Sequence, residues 1–138
     1  YGPWGRPDMA PYIFVRRISE GKSITVFNNG NMERDFTYVD DIVDGVSKVI
    51  KGNGIDNNCK IYNIGNSRPV NLNDFIQVIE KTLNRKAKIE YRPIRKGDVK
   101  KTFSDINELQ NTLLYKPKVG IKEGIYNFVE WYKNYYNE

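Results

Sequence analysis

The sequence predicts a single α/β unit in which small sheets are flanked by helices. Three observations carry this. Apolar residues recur at helical spacing in several stretches, most clearly Leu72, Phe75, Ile76, Ile79 and Leu83. The runs that read as strands are short and well separated. No internal repeat, low-complexity segment or linker divides the 138 residues.

The elements follow in order. Tyr1-Gly2-Pro3-Trp4-Gly5-Arg6-Pro7 opens in turn chemistry without an initiator methionine, as expected of a piece cut from something longer. Residues 9–20 read as a helix, with Asp8 as the expected N-cap, Pro11 tolerated in the first turn and Gly21 just past the end. Residues 24–27 read as a strand, Asn28-Asn29-Gly30-Asn31 as a turn, and a second strand is expected through Val39. Asp40 is the expected cap of a helix whose Ile42, Val43, Val46, Val49 and Ile50 share one face, and Gly52-Asn53-Gly54 ends it. Residues 61–64 read as a strand and 65–70 as a loop. Asn71 caps the Leu72–Leu83 stripe. Residues 88–92 alternate as a strand. Beyond a loop through Gly97, Ser104 or Asp105 caps a short helix with Ile106 and Leu109 inward. The last helix carries Ile121, Ile125, Phe128, Val129 and Tyr132 on one side.

Composition narrows the chemistry. The length suffices for one domain with a real core. Lys and Arg number 22 against 17 Asp and Glu, a net charge of +5. That mildly favours an anionic partner but is too thinly spread to indicate nucleic acid. Basic clusters such as Arg85-Lys86-Ala87-Lys88 read as solvated faces. A single cysteine, Cys59, excludes an internal disulfide framework and a cysteine-rich zinc site. The absence of histidine excludes a His-based triad and a typical His metal site. No apolar run approaches the ~20 residues needed to cross a bilayer, and no signal-peptide pattern is visible. No membrane partner and a cytoplasmic setting are therefore expected.

Two segments hold cations in positions suited to an anion. In MERDFTYVDDIV, Arg34 begins a half-apolar run, and its planar fork of donors suits phosphate. The alternative is a surface ion pair with Glu33, Asp35 or Asp40. Asp40 and Asp41 fit the start of a helix better than acid–base chemistry. In Tyr91-Arg92-Pro93-Ile94-Arg95-Lys96-Gly97-Asp98, loop cations broken by Pro and Gly form either an anion clamp or a solvated turn. Arg6, between Gly5 and Pro7, is a further loop cation. The C-terminal aromatics suit core or oligomer contacts better than base stacking. No glycine-rich dinucleotide loop or P-loop is present, and no tyrosine is followed four residues later by lysine.

With these residues in view, the chain resembles the C-terminal part of an extended short-chain dehydrogenase/reductase of the NAD-dependent epimerase/dehydratase family, closest to the UDP-glucuronate 4-epimerases. The resemblance rests on YGPWGRPDMA at 1–10, ITVFNNGNMERDFTYVDDIVDG at 24–45, YNIGNSRPVNLNDFI at 62–76, and Arg95-Lys96-Gly97-Asp98 followed by Phe103-Ser104-Asp105. It implies that residues 1–138 are a UDP-sugar-binding domain and that a Rossmann domain holding NAD belongs to upstream sequence. It further implies a parent enzyme, a homodimer, that oxidises the sugar transiently at C4. Arg34 and Arg95 would meet the diphosphate, Asp98 the ribose, the backbone at Val26 and Phe27 the uracil, and Arg6 the sugar and phosphates. Catalytic residues, NAD ligands and metal ligands are expected nowhere in this chain. It should be inactive alone and bind UDP weakly if at all. The competing readings are a dehydratase or decarboxylase on the same scaffold, an inactive stand-alone binding module, and, more remotely, a nucleic-acid binder.

Overall fold

The computed structural model describes residues 1–52 and 60–137. Cys59 and the expected Asn53-Gly54 helix end lie outside them. Helix α1 (Ala10–Ser19) leads into strand β1 (Ser23–Phe27), a single 3-10 turn (Asn28–Gly30) and the two-residue strand β2 (Glu33–Arg34). Helix α2 (Val39–Lys51), strand β3 (Val70–Asn71), helix α3 (Leu72–Leu83) and strand β4 (Lys88–Arg92) follow, then helices α4 (Asn107–Leu113) and α5 (Ile121–Tyr136). β1 and β4 form a parallel pair running from Ser23 opposite Lys88 to Phe27 opposite Arg92. β2 pairs antiparallel with β3, and Glu33 also bridges to Lys101.

Each inner face follows from its sequence period. On β1, Ile24 and Val26 are fully buried while the alternate residues are half-exposed. α1 contributes Phe14, Val15 and Ile18, α3 contributes Phe75, Ile76 and Ile79, and α5 contributes Ile125, Phe128, Val129 and Tyr132 to one core. A smaller cluster joins Ile106, Leu109 and Tyr115. Asn71 caps α3 as expected, its side-chain oxygen accepting from Asn73 N at 2.9 Å. Asp105 likewise accepts from Asn107 N at 3.0 Å, at the start of α4.

Other expectations are corrected. Asp8 does not cap α1, because its carboxylate is taken by Arg6, and Met9 stands at the cap. Asp40 does not cap α2, which starts two residues earlier than such a cap implies, at Val39 behind Tyr38, with no side-chain cap. Asp41 instead accepts from the backbone of Lys118 and Val119, at 2.9 and 3.0 Å, and ties α2 to the segment before α5. The expected long second strand shrinks to Glu33–Arg34. Residues 61–64 form no strand, since no described segment pairs with them, and Ile61 is 84% exposed. The α2 stripe is turned outward: Asp41 and Gly45 are buried, whereas Val43, Val46, Val49 and Ile50 are exposed. Gly45 faces Ile64 and Tyr115 closely, so a larger residue there would press on them.

Candidate functional site

A cavity of about 640 Å3 opens between α1, β1 and the segments around Arg34 and Asp98. That volume lies in the range of small-molecule sites. Its apolar back is built from Ile13 and Phe14 of α1, Met32, Phe36 and Leu72. Phe36 stacks on Phe75 of α3 with ring centroids 4.3 Å apart, which fixes the cavity floor to the core.

Arg34, Arg95, Phe27 and Asp98 all line this cavity. Arg34 Nη2 donates to Asp98 Oδ1 at 2.9 Å, and Nη1 donates to the carbonyls of Glu33 and Lys100 at 2.9 and 3.3 Å. Arg34 is about three-quarters buried, with 24% of its side chain exposed. The carbonyls and carboxylate hold its plane in one orientation. The Arg95 guanidinium carbon lies 4.2 Å from the centroid of the Phe27 ring, a cation–π contact. Asp98 N donates to Arg95 O at 3.1 Å and closes the turn, with Gly97 at φ 85°, a region that favours glycine. Glu33 N to Lys100 O at 2.8 Å and Thr102 N to Glu33 O at 3.2 Å stitch the returning chain to β2. Arg34 and the Arg95–Asp98 turn are thus one assembly.

Asp35, unassigned from sequence, is its organiser. Its carboxylate accepts from the backbone N–H groups of Ser67, Ser104 and Arg68 at 3.1, 3.0 and 3.3 Å, and its own N–H donates to Thr102 Oγ1 at 3.0 Å. Each loop is held by main-chain donors on one carboxylate, the stronger kind of hydrogen bond.

The remaining predicted residues lie elsewhere. Val26, assigned through its backbone, directs a fully buried side chain into the core and is not part of the cavity wall. Arg6 is 74% exposed and paired bidentately with Asp8, at 3.1 and 2.6 Å. That hydrogen-bonded pairing holds the Asp8 carboxyl below its ordinary range. Asp8 lines the cavity, whereas Arg6 is not part of its wall. Sequence reasoning also missed Arg17, Thr25 and Thr102. A signal existed for Thr25: strand alternation puts it on the face of Phe27 and opposite to Val26.

The fold matches that of the extended short-chain dehydrogenase/reductase epimerases, and the model of the NAD dependent epimerase/dehydratase family matches residues 1–65. Among curated proteins, an uncharacterized protein of Methanocaldococcus jannaschii is 50% identical over 132 residues, covering 96% of this chain and 40% of that protein. UDP-glucuronate 4-epimerase 5 of Arabidopsis thaliana is 43% identical over 150 residues, covering 99% of this chain and 34% of that protein. The crystal structure of UDP-glucuronic acid 4-epimerase from Bacillus cereus, in complex with UDP-glucuronic acid and NAD, superposes with a TM-score of 0.92 at 30% identity, over 99% of this chain and 43% of that one. UDP-glucose 4-epimerase from Thermotoga maritima, with UDP-glucose, gives 0.89 at 28% identity, over 99% of this chain and 44% of that one. The chain therefore spans less than half the length of these relatives.

Proposed function

We propose that this chain is the nucleotide-sugar-binding portion of an NAD-dependent UDP-sugar 4-epimerase, of the type that interconverts UDP-glucuronate and UDP-galacturonate. The observation that carries the proposal is the convergence of Arg34 and Arg95, with Phe27 and Asp98, on one cavity. A diphosphate carries delocalised negative charge that forked cations from separate segments can hold. Arg34 is already aimed, so little ordering is lost when the anion arrives. Asp98, acceptor-only when ionised, suits a ribose hydroxyl. Fixing the nucleotide through these groups leaves the sugar free to turn over, as epimerisation at one carbon requires.

NAD supplies the transient oxidation at C4 when bound. The reading places its cradle outside this chain, whose sequence has no glycine-rich dinucleotide loop. The reading assigns NAD, the catalytic base and a Rossmann domain to another part of the parent enzyme, itself a homodimer. The outward apolar face of α2 and the 61–64 segment, unpaired among the described residues, support such a covering domain. The cavity walls at Arg34, Arg95 and Phe27 all come from this chain, so UDP should bind it weakly but measurably. Titrating UDP into the chain by heteronuclear NMR tests this. Arg34→Ala should weaken binding roughly tenfold or more, since hydrogen bonds to charged groups contribute about 1.5–3 kcal/mol. Unchanged affinity in that variant would refute the role given to Arg34.

A further inference from the structure

We propose that the end of the molecule where α1 and α3 stop and β1 and β4 start is a docking surface for the anionic headgroups of a lipid bilayer, on which the chain rests without entering it.

The net charge of the chain is gathered there. Residues 16–23 and 80–90 hold seven Lys and Arg against three Glu, a net +4 out of the +5 of the whole chain. All other residues together hold fifteen against fourteen. In the sequence, Arg85-Lys86-Ala87-Lys88 reads as a solvated run; the fold sets it beside the end of α1. Ser23, the first residue of β1, stands opposite Lys88, the first of β4. Arg85 Nη1 donates to Ser19 O at the last residue of α1, and its guanidinium lies against Gly21. Arg16, Lys22, Lys81, Arg85, Lys86 and Lys88 are all exposed, and none of them lines the nucleotide cavity. Arg17 does line that cavity and is left out of the set.

Depth separates the two signs of charge. Glu80 accepts from Lys86 Nζ and Ala87 N, both at 2.8 Å. Glu20 pairs with Arg16 at 3.1 Å and with Lys22 at 2.7 Å. The Glu80 and Glu20 side chains are 12% and 27% exposed, whereas those of Lys86 and Lys22 are 88% and 62% exposed. The carboxylates are recessed and the ammonium groups stand outermost. A helix C-terminus attracts cations, which accounts for Arg16, Lys81 and the Arg85 contact with Ser19 O. It does not account for Lys22, Lys86 and Lys88, which lie beyond both helices.

The residue types decide the occupant. No large apolar side chain of residues 16–23 or 80–90 is exposed. A protein interface is anchored by such groups and is poor in lysine. No aromatic ring interleaves these cations, as stacking on a single-stranded nucleic acid requires. Flexible ammonium groups without an anchor suit a surface of many anionic headgroups in no fixed register, as on an anionic bilayer face. Such contact needs no spanning segment, the criterion on which the sequence predicts no membrane partner. The Phe27–Arg95 contact lies at the far end of β1, roughly 13 Å away at the rise of an extended strand, so docking leaves the diphosphate side of the cavity free.

The test is co-sedimentation of the chain with vesicles. Vesicles of phosphatidylcholine mixed with phosphatidylserine should carry the chain down, and vesicles of phosphatidylcholine alone should not. Binding should fall about tenfold or more between about 0.05 and 0.5 M salt, as screening shortens the reach of the charges. Lys81→Gln, Lys86→Gln and Lys88→Gln combined should weaken it about tenfold or more. Lys116→Gln, Lys118→Gln and Lys122→Gln combined remove the same charge from the start of α5 and the segment before it, and should weaken it less than about threefold. Amide spectra report that both variants keep the fold, and their UDP affinity should match that of the unaltered chain. Equal losses in the two triple variants would reduce the effect to net charge and overturn the proposal. Equal sedimentation with neutral vesicles would overturn it too, by assigning the contact to the apolar face of α2. So would a failure to sediment with phosphatidylserine, whether or not poly-glutamate or single-stranded RNA binds instead.

Discussion

Arg34 shows what one residue contributes when its surroundings are built for it. Two carbonyls and one carboxylate fix its guanidinium, and it is mostly buried. Removing Asp98 would leave that cation loosely held; keeping the charge but losing the fork, as in Arg34→Lys, should recover only part of the UDP affinity, measured by the same titration. Tyr115 makes a second residue-scale prediction. Its hydroxyl donates to Gly65 O at 3.0 Å in the interior. Burial, then the nearby carboxylates Asp41, Asp44 and Asp35, push it up to about 12 from an ordinary 10.0. Because the folded value is raised, its stabilisation is complete below pH 10 and is lost as pH rises from there toward 12. Urea midpoints should hold to pH 9 and fall above 10. Tyr115→Phe should cost about 1 kcal/mol at pH 7 and flatten part of that fall. An equally steep alkaline loss in the variant would count against the cause assigned. At this scale the sequence was legible where a motif stood: Arg34, Arg95 and Asp98 meet at one cavity. Arg17 was not, because a cation on an amphipathic helix looks solvated until the strand beside it is placed. Arg6 pairs with its neighbour Asp8 and is not part of the cavity wall.

Among the elements, α3 was the most legible, because cap and stripe agree. Asn71→Ala should lower stability by about 1 kcal/mol in urea denaturation, the usual loss of a side-chain cap. No change would mean that the Asn73 N–H finds another acceptor. The short strands were harder. β2 is two residues long and is defined less by propensity than by Asp35, which gathers main-chain donors from segments far apart in sequence. Asp35→Asn keeps the shape but removes the charge and one acceptor oxygen. It should weaken UDP binding although residue 35 bears no assigned ligand contact, and it should move the amide resonances of Ser67 and Ser104. Undisturbed resonances would show that these loops hold themselves. α2 carries a further lesson. Periodicity located its apolar face correctly, but periodicity does not say what covers a face.

For the whole molecule, that uncovered face has a consequence. Val43, Val46, Val49 and Ile50 form an exposed apolar stripe, and Ile61 is almost wholly exposed. Apolar patches of this kind are rarely left open by monomers. The 138-residue chain should self-associate in gel filtration as its concentration rises, and Val46→Glu with Ile50→Glu should shift it toward the monomer. A monomer at every concentration would remove the support that this face lends to a covering domain. The main core is independent of it, being built from α1, β1, α3 and α5. Phe128→Ala should therefore cost about 3–5 kcal/mol whether or not a partner is bound. None of the described helices is long and apolar enough to cross a membrane.

The central claim is that Arg34 and Arg95 grip one pyrophosphate. Comparing UDP with uridine in the unaltered chain, Arg34→Ala, Arg95→Ala and the double variant tests it most directly. The account predicts that UDP binds more tightly than uridine, that each substitution erodes this advantage, that the two losses are not additive, and that uridine affinity barely moves. Equal binding of UDP and uridine to the unaltered chain, or variants that weaken both ligands alike, would contradict it.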